Sequence, residues 1–465
     1  MIDGGDTAPG RVRTHLSIPL FRNAYALVVT TALTSVLGVG YWALAAHYYR
    51  KADVGRASAT VALLMLLAGI TQLNLINGLP RFLPRAGSRS RRLVVGAYGA
   101  TTAAAIVVVG GFVALGGADK EMAVGHSSPW PLRLVFVAAV VGWNLFTLQD
   151  SVLAGLREAV WVPVENALFS VAKIVLLVAV ASALPRIGPF VSWTIPAVVA
   201  VIPVNILIFH RLLPRHVETT REAESMPGRA ALTRFLAGDY LAGLFQLSSV
   251  NMLPLLVVHL VGLTAAAYFS TAWIVAGAFD LVLANIGVSL TVEGAIDQDR
   301  LPHLARSVAR LSAAIAIPAA VVVALGAPFM LDVLGSEYRH GGAGVLRFFA
   351  LAMPFRAVTV LYLSLARVRR RVRQLLAVQA ASCLLVLGSA IALLPHHGIT
   401  VAAGGYLVTQ VIMAAMVLPS VVRTLRAHPP AHPPTGPTDE VDPDDPEGSF
   451  AAATALLAAV DQAAR

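Results

Sequence analysis

Two cations lie where this chain is most apolar, and their chemistry needs explaining. Lys173 sits in Ala167-Leu168-Phe169-Ser170-Val171-Ala172-Lys173-Ile174-Val175-Leu176-Leu177-Val178, and Arg356 in Met353-Pro354-Phe355-Arg356-Ala357-Val358. A cation at the centre of a membrane-spanning helix costs about 2.5–3.5 kcal/mol on insertion scales. It therefore needs an acidic partner, a water-filled cavity or an anionic ligand. Asn166, Ser170 and Lys173 fall at i, i+4 and i+7, on one helix face. If the two cations shared a cavity they would suit a phosphate or pyrophosphate, with arginine binding through its fork and lysine as a point charge. The other reading pairs each with a buried carboxylate. Asp239 and Asp280 are the acidic counterparts: they mark either an ion or proton pathway or salt-bridge partners for Arg356 and Arg234. Asn74 and Asn251, with Gln72, Asn77, Asn144 and Gln410, either line a polar cavity or bond between helices. Asp150 and Glu165 read as structural pairing residues near one end of their helices.

The elements that must position these residues are apolar spans. The chain has 465 residues, 57% hydrophobic and 13% charged, with mean hydropathy +0.74. A soluble domain is typically about 45–50% apolar and about 25% charged. Apolar windows of roughly 20 residues recur, each able to cross a hydrocarbon core of about 30 Å. The runs are continuous rather than alternating, which argues against a β-barrel. The net charge of +10 does not point to nucleic acid, because the arginines are scattered in short loops. The single cysteine, Cys383, lies inside a span and reads as a packing residue. The first apolar stretch is too long for a signal-peptide core and reads as a retained helix.

Twelve helices are predicted, at roughly 23–47, 57–79, 93–116, 132–154, 160–184, 189–211, 235–258, 264–291, 308–331, 343–366, 373–394 and 398–422. Twenty-four arginines fall in one set of loops and eight basic residues in the alternating set. By the positive-inside rule this places both termini in the cytoplasm, as an even helix count requires. A weak repeat at a lag of about 207–210 residues aligns Val54-Gly55 with Val261-Gly262, and Ser151–Arg157 with Leu361–Arg367. It suggests two six-helix lobes related by a pseudo-two-fold along the membrane normal. The expected organisation is a cytoplasmic N-terminus (1–22), an N-terminal lobe (23–214), a cytoplasmic linker (215–234), a C-terminal lobe (235–426) and a disordered acidic, proline-rich tail (427–465). The fold class is thus an all-α polytopic membrane protein, multi-pass in the plasma membrane.

Other chemistries lack their residues. There is no Walker A sequence and no His/Cys cluster with metal-ligand spacing. The longest external loop, about 15 residues, offers no platform for an enzyme. Neither a metal nor another cofactor is expected.

The chain resembles the polysaccharide-transporter, Wzx-like branch of the MOP flippase superfamily, which also holds the MATE exporters and the lipid II flippases. Gly40-Tyr41-Trp42-Ala43-Leu44-Ala45-Ala46 and Val54-Gly55-Arg56-Ala57-Ser58-Ala59 are similar to the first helix and second-helix entry. Asn77-Gly78-Leu79-Pro80-Arg81-Phe82-Leu83-Pro84 resembles the exit from helix 2. Leu153-Ala154-Gly155-Leu156-Arg157-Glu158-Ala159 followed by Lys173 resembles the helix 4–5 hairpin, and Gly335-Ser336-Glu337-Tyr338 the glycine-x-x-tyrosine loop. The likeness covers about residues 16–426. It implies a flippase for undecaprenyl-pyrophosphate-linked glycans working by alternating access. The use of cavity cations for the lipid pyrophosphate carries over to Lys173 by position alone. The chain lacks the extra C-terminal helices of the lipid II flippases, and its acidic tail is foreign to the pattern. The expected partners are the lipid-linked oligosaccharide, membrane lipids and, through the tail, glycosyltransferases or a polymerase. Two alternatives remain: a drug or cation antiporter on the same fold, which predicts an acidic cavity, and a non-transporting scaffold acting through its tail.

Overall fold

The computed structural model describes residues 36–117, 130–158, 160–220, 229–296, 300–369 and 371–426. The terminal segments 1–22 and 427–465 lie outside these residues, as does part of the predicted linker. Every regular element among the described residues is helical. Without water in the bilayer core, a continuous helix is the simplest way to satisfy each backbone polar group.

The helices are α1 (residues 36–48), α2 (Lys51–Thr71), α3 (Leu75–Phe82), α4 (Ser90–Ala114), α5 (Trp130–Gly155), α6 (Trp161–Ala179), α7 (Gly188–Leu207), α8 (Leu213–Thr220), α9 (Arg229–Leu260), α10 (Leu263–Ile296), α11 (Leu301–Asp332), α12 (Ser336–Val368) and α13 (Val372–Arg426). Among the described residues, ten helices are long and apolar enough to cross a membrane.

Two boundaries differ from the sequence reading for local reasons. The span predicted at 57–79 is broken, because Leu73 and Asn74 both take positive φ, 53° and 58°. Neither is glycine, so hydropathy gives no warning of the break. Asn77 Nδ2 donates to Asn74 Oδ1 at 2.7 Å and fixes the start of α3. The spans predicted at 373–394 and 398–422 are two helices that follow one another within α13 and meet at a kink at Gly398, whose φ is 73° and ψ −174°. Only glycine adopts that conformation without strain. Helices α9 to α12 also extend beyond their apolar windows, since charged residues continue a helix once it has left the hydrocarbon.

Helices α3 to α8 pack mainly among themselves, as do α9 to α13. Helix α2 lies chiefly against α9 and α10 and links the two groups, and α3 also touches α9. A Cβ added at Gly55 would sit 1.9 Å from the Leu263 carbonyl oxygen, so only glycine permits this approach. Ser58 Oγ donates to Ser270 Oγ at 2.8 Å. Lys51 at the start of α2 pairs with Glu337 at the start of α12. Further along α2, the Tyr240 hydroxyl donates to the Ile70 carbonyl.

Candidate functional site around Lys173

Helix α6 shows how a lysine is carried inside an apolar bundle. Leu168, Val171, Val175 and Val178 are exposed at helical spacing, an apolar stripe suited to lipid. The opposite face buries Val162, Glu165, Phe169, Ser170, Lys173 and Leu177. Lys173 therefore points into the protein, with 8% of its surface exposed. Its Nζ lies 4.8 Å from the centroid of the Phe169 ring and 5.4 Å from that of Tyr41. Among the described residues it makes no ion pair, with Asp150 and Glu165 included.

Cation–π contacts reach about 2 kcal/mol when desolvated. Two of them, at most about 4 kcal/mol together, are enough to offset the insertion cost of about 2.5–3.5 kcal/mol for the buried lysine. The rings thus hold the ammonium without neutralising it. Tyr41 is itself fixed: its hydroxyl donates to the Pro189 carbonyl and lies 2.9 Å from Ser192 Oγ. Phe169 belongs to an aromatic cluster with Trp143, Phe146 and Trp193, in which Trp143 and Trp193 lie 4.3 Å apart. Rigid surroundings keep the lysine in one place. Tyr41 and Phe169 were not singled out in the sequence as site residues. Phe169 sits one helical turn before Lys173 and was readable, whereas Tyr41 is 132 positions away.

Arg356 on α12 is placed differently. Its Nε donates to Asp280 Oδ1 at 3.0 Å and its Nη2 to Oδ2 at 3.4 Å, a two-pronged ion pair with α10. The arginine side chain is 13% exposed and the aspartate 39%. The carboxylate is thus the more accessible member. The C-terminal half has its own aromatic cluster, in which Trp273, Phe349 and Tyr406 meet edge to face at 5.1–5.5 Å.

The other predicted residues are dispersed. Asn166 Nδ2 donates to Asp150 Oδ2 at 3.3 Å, and Ser170 is buried beside Lys173 on α6. Asn251 is buried and donates to the Leu247 carbonyl at 3.0 Å. Asn74 occupies the turn between α2 and α3. Asp239 is on α9, and its side chain lies outside the described residues.

Asp150 and Glu165, at the ends of α5 and α6 that face each other, are 2% and 6% exposed. Gln149 donates to Glu165, and Asn205 donates to Gln149 Oε1 at 2.8 Å. A second group of amides and hydroxyls lies on α2 and α5, where Gln72 donates to Thr147 at 2.7 Å and Asn144 to Thr71 at 2.8 Å. The N-terminal group of helices therefore carries a polar seam that hydropathy does not show.

In fold the chain is similar to solved transporters of the MOP superfamily. A multidrug resistance MATE family transporter in an inward-facing conformation is similar with a TM-score of 0.66 and 14% identity, covering 86% of this chain and 98% of that one. The lipid II flippase MurJ in an inward closed conformation gives a TM-score of 0.66 at 10% identity, covering 86% and 88%. A MOP superfamily transporter from Pyrococcus furiosus, described for the reverse polarity of its binding pocket, gives 0.62 at 13%, covering 87% and 95%. At these identities the likeness is one of fold. No protein-family model and no curated protein sequence matches the chain.

Proposed function

We propose that the protein is a plasma-membrane flippase that moves an anionic, undecaprenyl-pyrophosphate-linked oligosaccharide outward for surface polysaccharide assembly. In this reading twelve helices form two six-helix lobes with both termini in the cytoplasm, and access alternates between the two sides. The observation that carries it is the state of Lys173: inward-facing, held between two rings, and outside any ion pair among the described residues. An ammonium held that way offers its charge to a phosphate. The likeness in fold to a lipid II flippase supports the substrate class.

Arg356 supplies the second phosphate contact only when Asp280 releases it. Asp280 then acts as the resident anion that substrate replaces, and it is where a coupling proton or cation would act; Asp239 has the same proposed role. Asn166 and Ser170 extend the polar face beside Lys173, and Asn74 and Asn251 stay proposed as lining residues.

In cells, Lys173→Ala with Arg356→Ala should abolish glycan export while the protein still inserts at normal levels. Normal export by the double variant would reject the reading.

One observation favours a second reading, cation export on the same fold. Asp150 and Glu165 are buried carboxylates in the N-terminal helices, and a similar fold serves a multidrug resistance transporter. Efflux of ethidium from loaded proteoliposomes, lost in Glu165→Gln and kept in Lys173→Ala, would favour it.

A further inference from the structure

At the arginine-rich end of the C-terminal helices, a shallow, open groove lies between α12 and the two ends of α13. Its walls include Tyr362, Leu365, Arg369, Arg371, Gln374 and Ser420, and no carboxylate lines it among the described residues. The chain builds it through a tight handover. The Arg369 amide bonds to the Leu365 carbonyl at 3.1 Å and the Arg371 amide to that of Ala366 at 2.9 Å, after which α13 starts at Val372. Gln374 Oε1 accepts from the Tyr362 hydroxyl at 3.2 Å and from Arg371 Nη1 at 3.4 Å, which aims the Arg371 guanidinium. Partial burial and the nearby Arg371 charge both lower the pKa of Arg369. Two like charges held together, with no acid among the described residues of the cleft, are the arrangement an anion would relieve. The first amides of α13 face the same end, where a helix dipole favours negative charge.

We propose that this cleft binds the phosphate of an anionic phospholipid from the leaflet at that end. The cleft stands where the apolar spans finish, the depth of lipid headgroups. Leu365 forms an apolar floor. On α13, Met416 and Ile412 lie one and two turns deeper than Ser420 and are 57% and 43% exposed. They offer an acyl chain a track that leads away from the phosphate. A soluble phosphate would use the arginines and leave that track empty.

The site is independent of the transported substrate and of Lys173. Full-length protein in phosphatidylcholine nanodiscs, titrated with dioctanoyl phosphatidylglycerol and followed by thermal unfolding, tests it. The lipid should stabilise the wild type. The apparent affinity should weaken about fivefold for each arginine removed, to roughly 25-fold in Arg369→Ala/Arg371→Ala. Arg91→Ala/Arg92→Ala removes the same charge from two exposed arginines elsewhere and should leave the affinity unchanged. Arg371→Lys, which keeps the charge and loses the fork, should fall between and guards against a folding defect in the double variant. Three results would overturn the assignment: an unaltered response of the double variant, equal weakening by the control pair, or binding of inorganic phosphate as tight as that of the lipid.

Discussion

Ser58 on α2 donates a hydrogen bond to Ser270 on α10 across 2.8 Å, joining the N-terminal and C-terminal groups of helices beside the Gly55–Leu263 contact. If transport separates these groups at that end, a covalent link there must stop it. The only native cysteine, Cys383, is buried. Ser58→Cys/Ser270→Cys should therefore form a disulfide on oxidation, lose most transport, and regain it on reduction. Full activity of the cross-linked protein would show that the two helices need not part.

Gly55 is the packing counterpart of that contact. A Cβ there meets a backbone oxygen, which cannot rotate away as a side chain can. Gly55→Ala should cost about 1–3 kcal/mol, the usual range for overpacking. Thermal unfolding in detergent should show a clear drop in midpoint, while Gly243→Ala, in open space on α9, should be far milder.

Much of this arrangement was legible in the sequence. The apolar windows located most spans, and the lysine within 167–178 marked an inward face. What escaped the sequence were contacts between distant segments. Nothing in the local pattern around Tyr41 announces that its ring will lie against Lys173. Arg356 admitted two readings, and distance alone decides that it holds Asp280 in this structure. Asp150 and Glu165 read as pairing residues, but their partners Asn166 and Gln149 and their burial between α5 and α6 come only from the structure. Leu73 and Asn74 break a helix with residue types that hydropathy scores as ordinary.

The Arg356–Asp280 pair predicts a non-additive response. Asp280→Ala leaves a nearly buried guanidinium uncompensated, and with the carboxylate 39% exposed the loss should be about 1–3 kcal/mol. Arg356→Met/Asp280→Leu removes both charges and should recover most of that loss in thermal unfolding. Additive losses would mean the pair contributes no coupling.

The tail offers a test of the scaffold alternative. Deleting residues 427–465 should leave most glycan export intact if transport resides in the helices. Export lost despite normal insertion would assign the work to the tail.

The central claim is that the Lys173 ammonium meets a phosphate of the substrate. The direct measurement is flipping of an undecaprenyl-pyrophosphate-linked sugar in proteoliposomes containing wild type, Lys173→Ala, Lys173→Arg or Tyr41→Phe. The account predicts at least a tenfold loss for Lys173→Ala, partial retention for Lys173→Arg, and a small effect for Tyr41→Phe, which keeps the ring. Wild-type flipping by Lys173→Ala would contradict it.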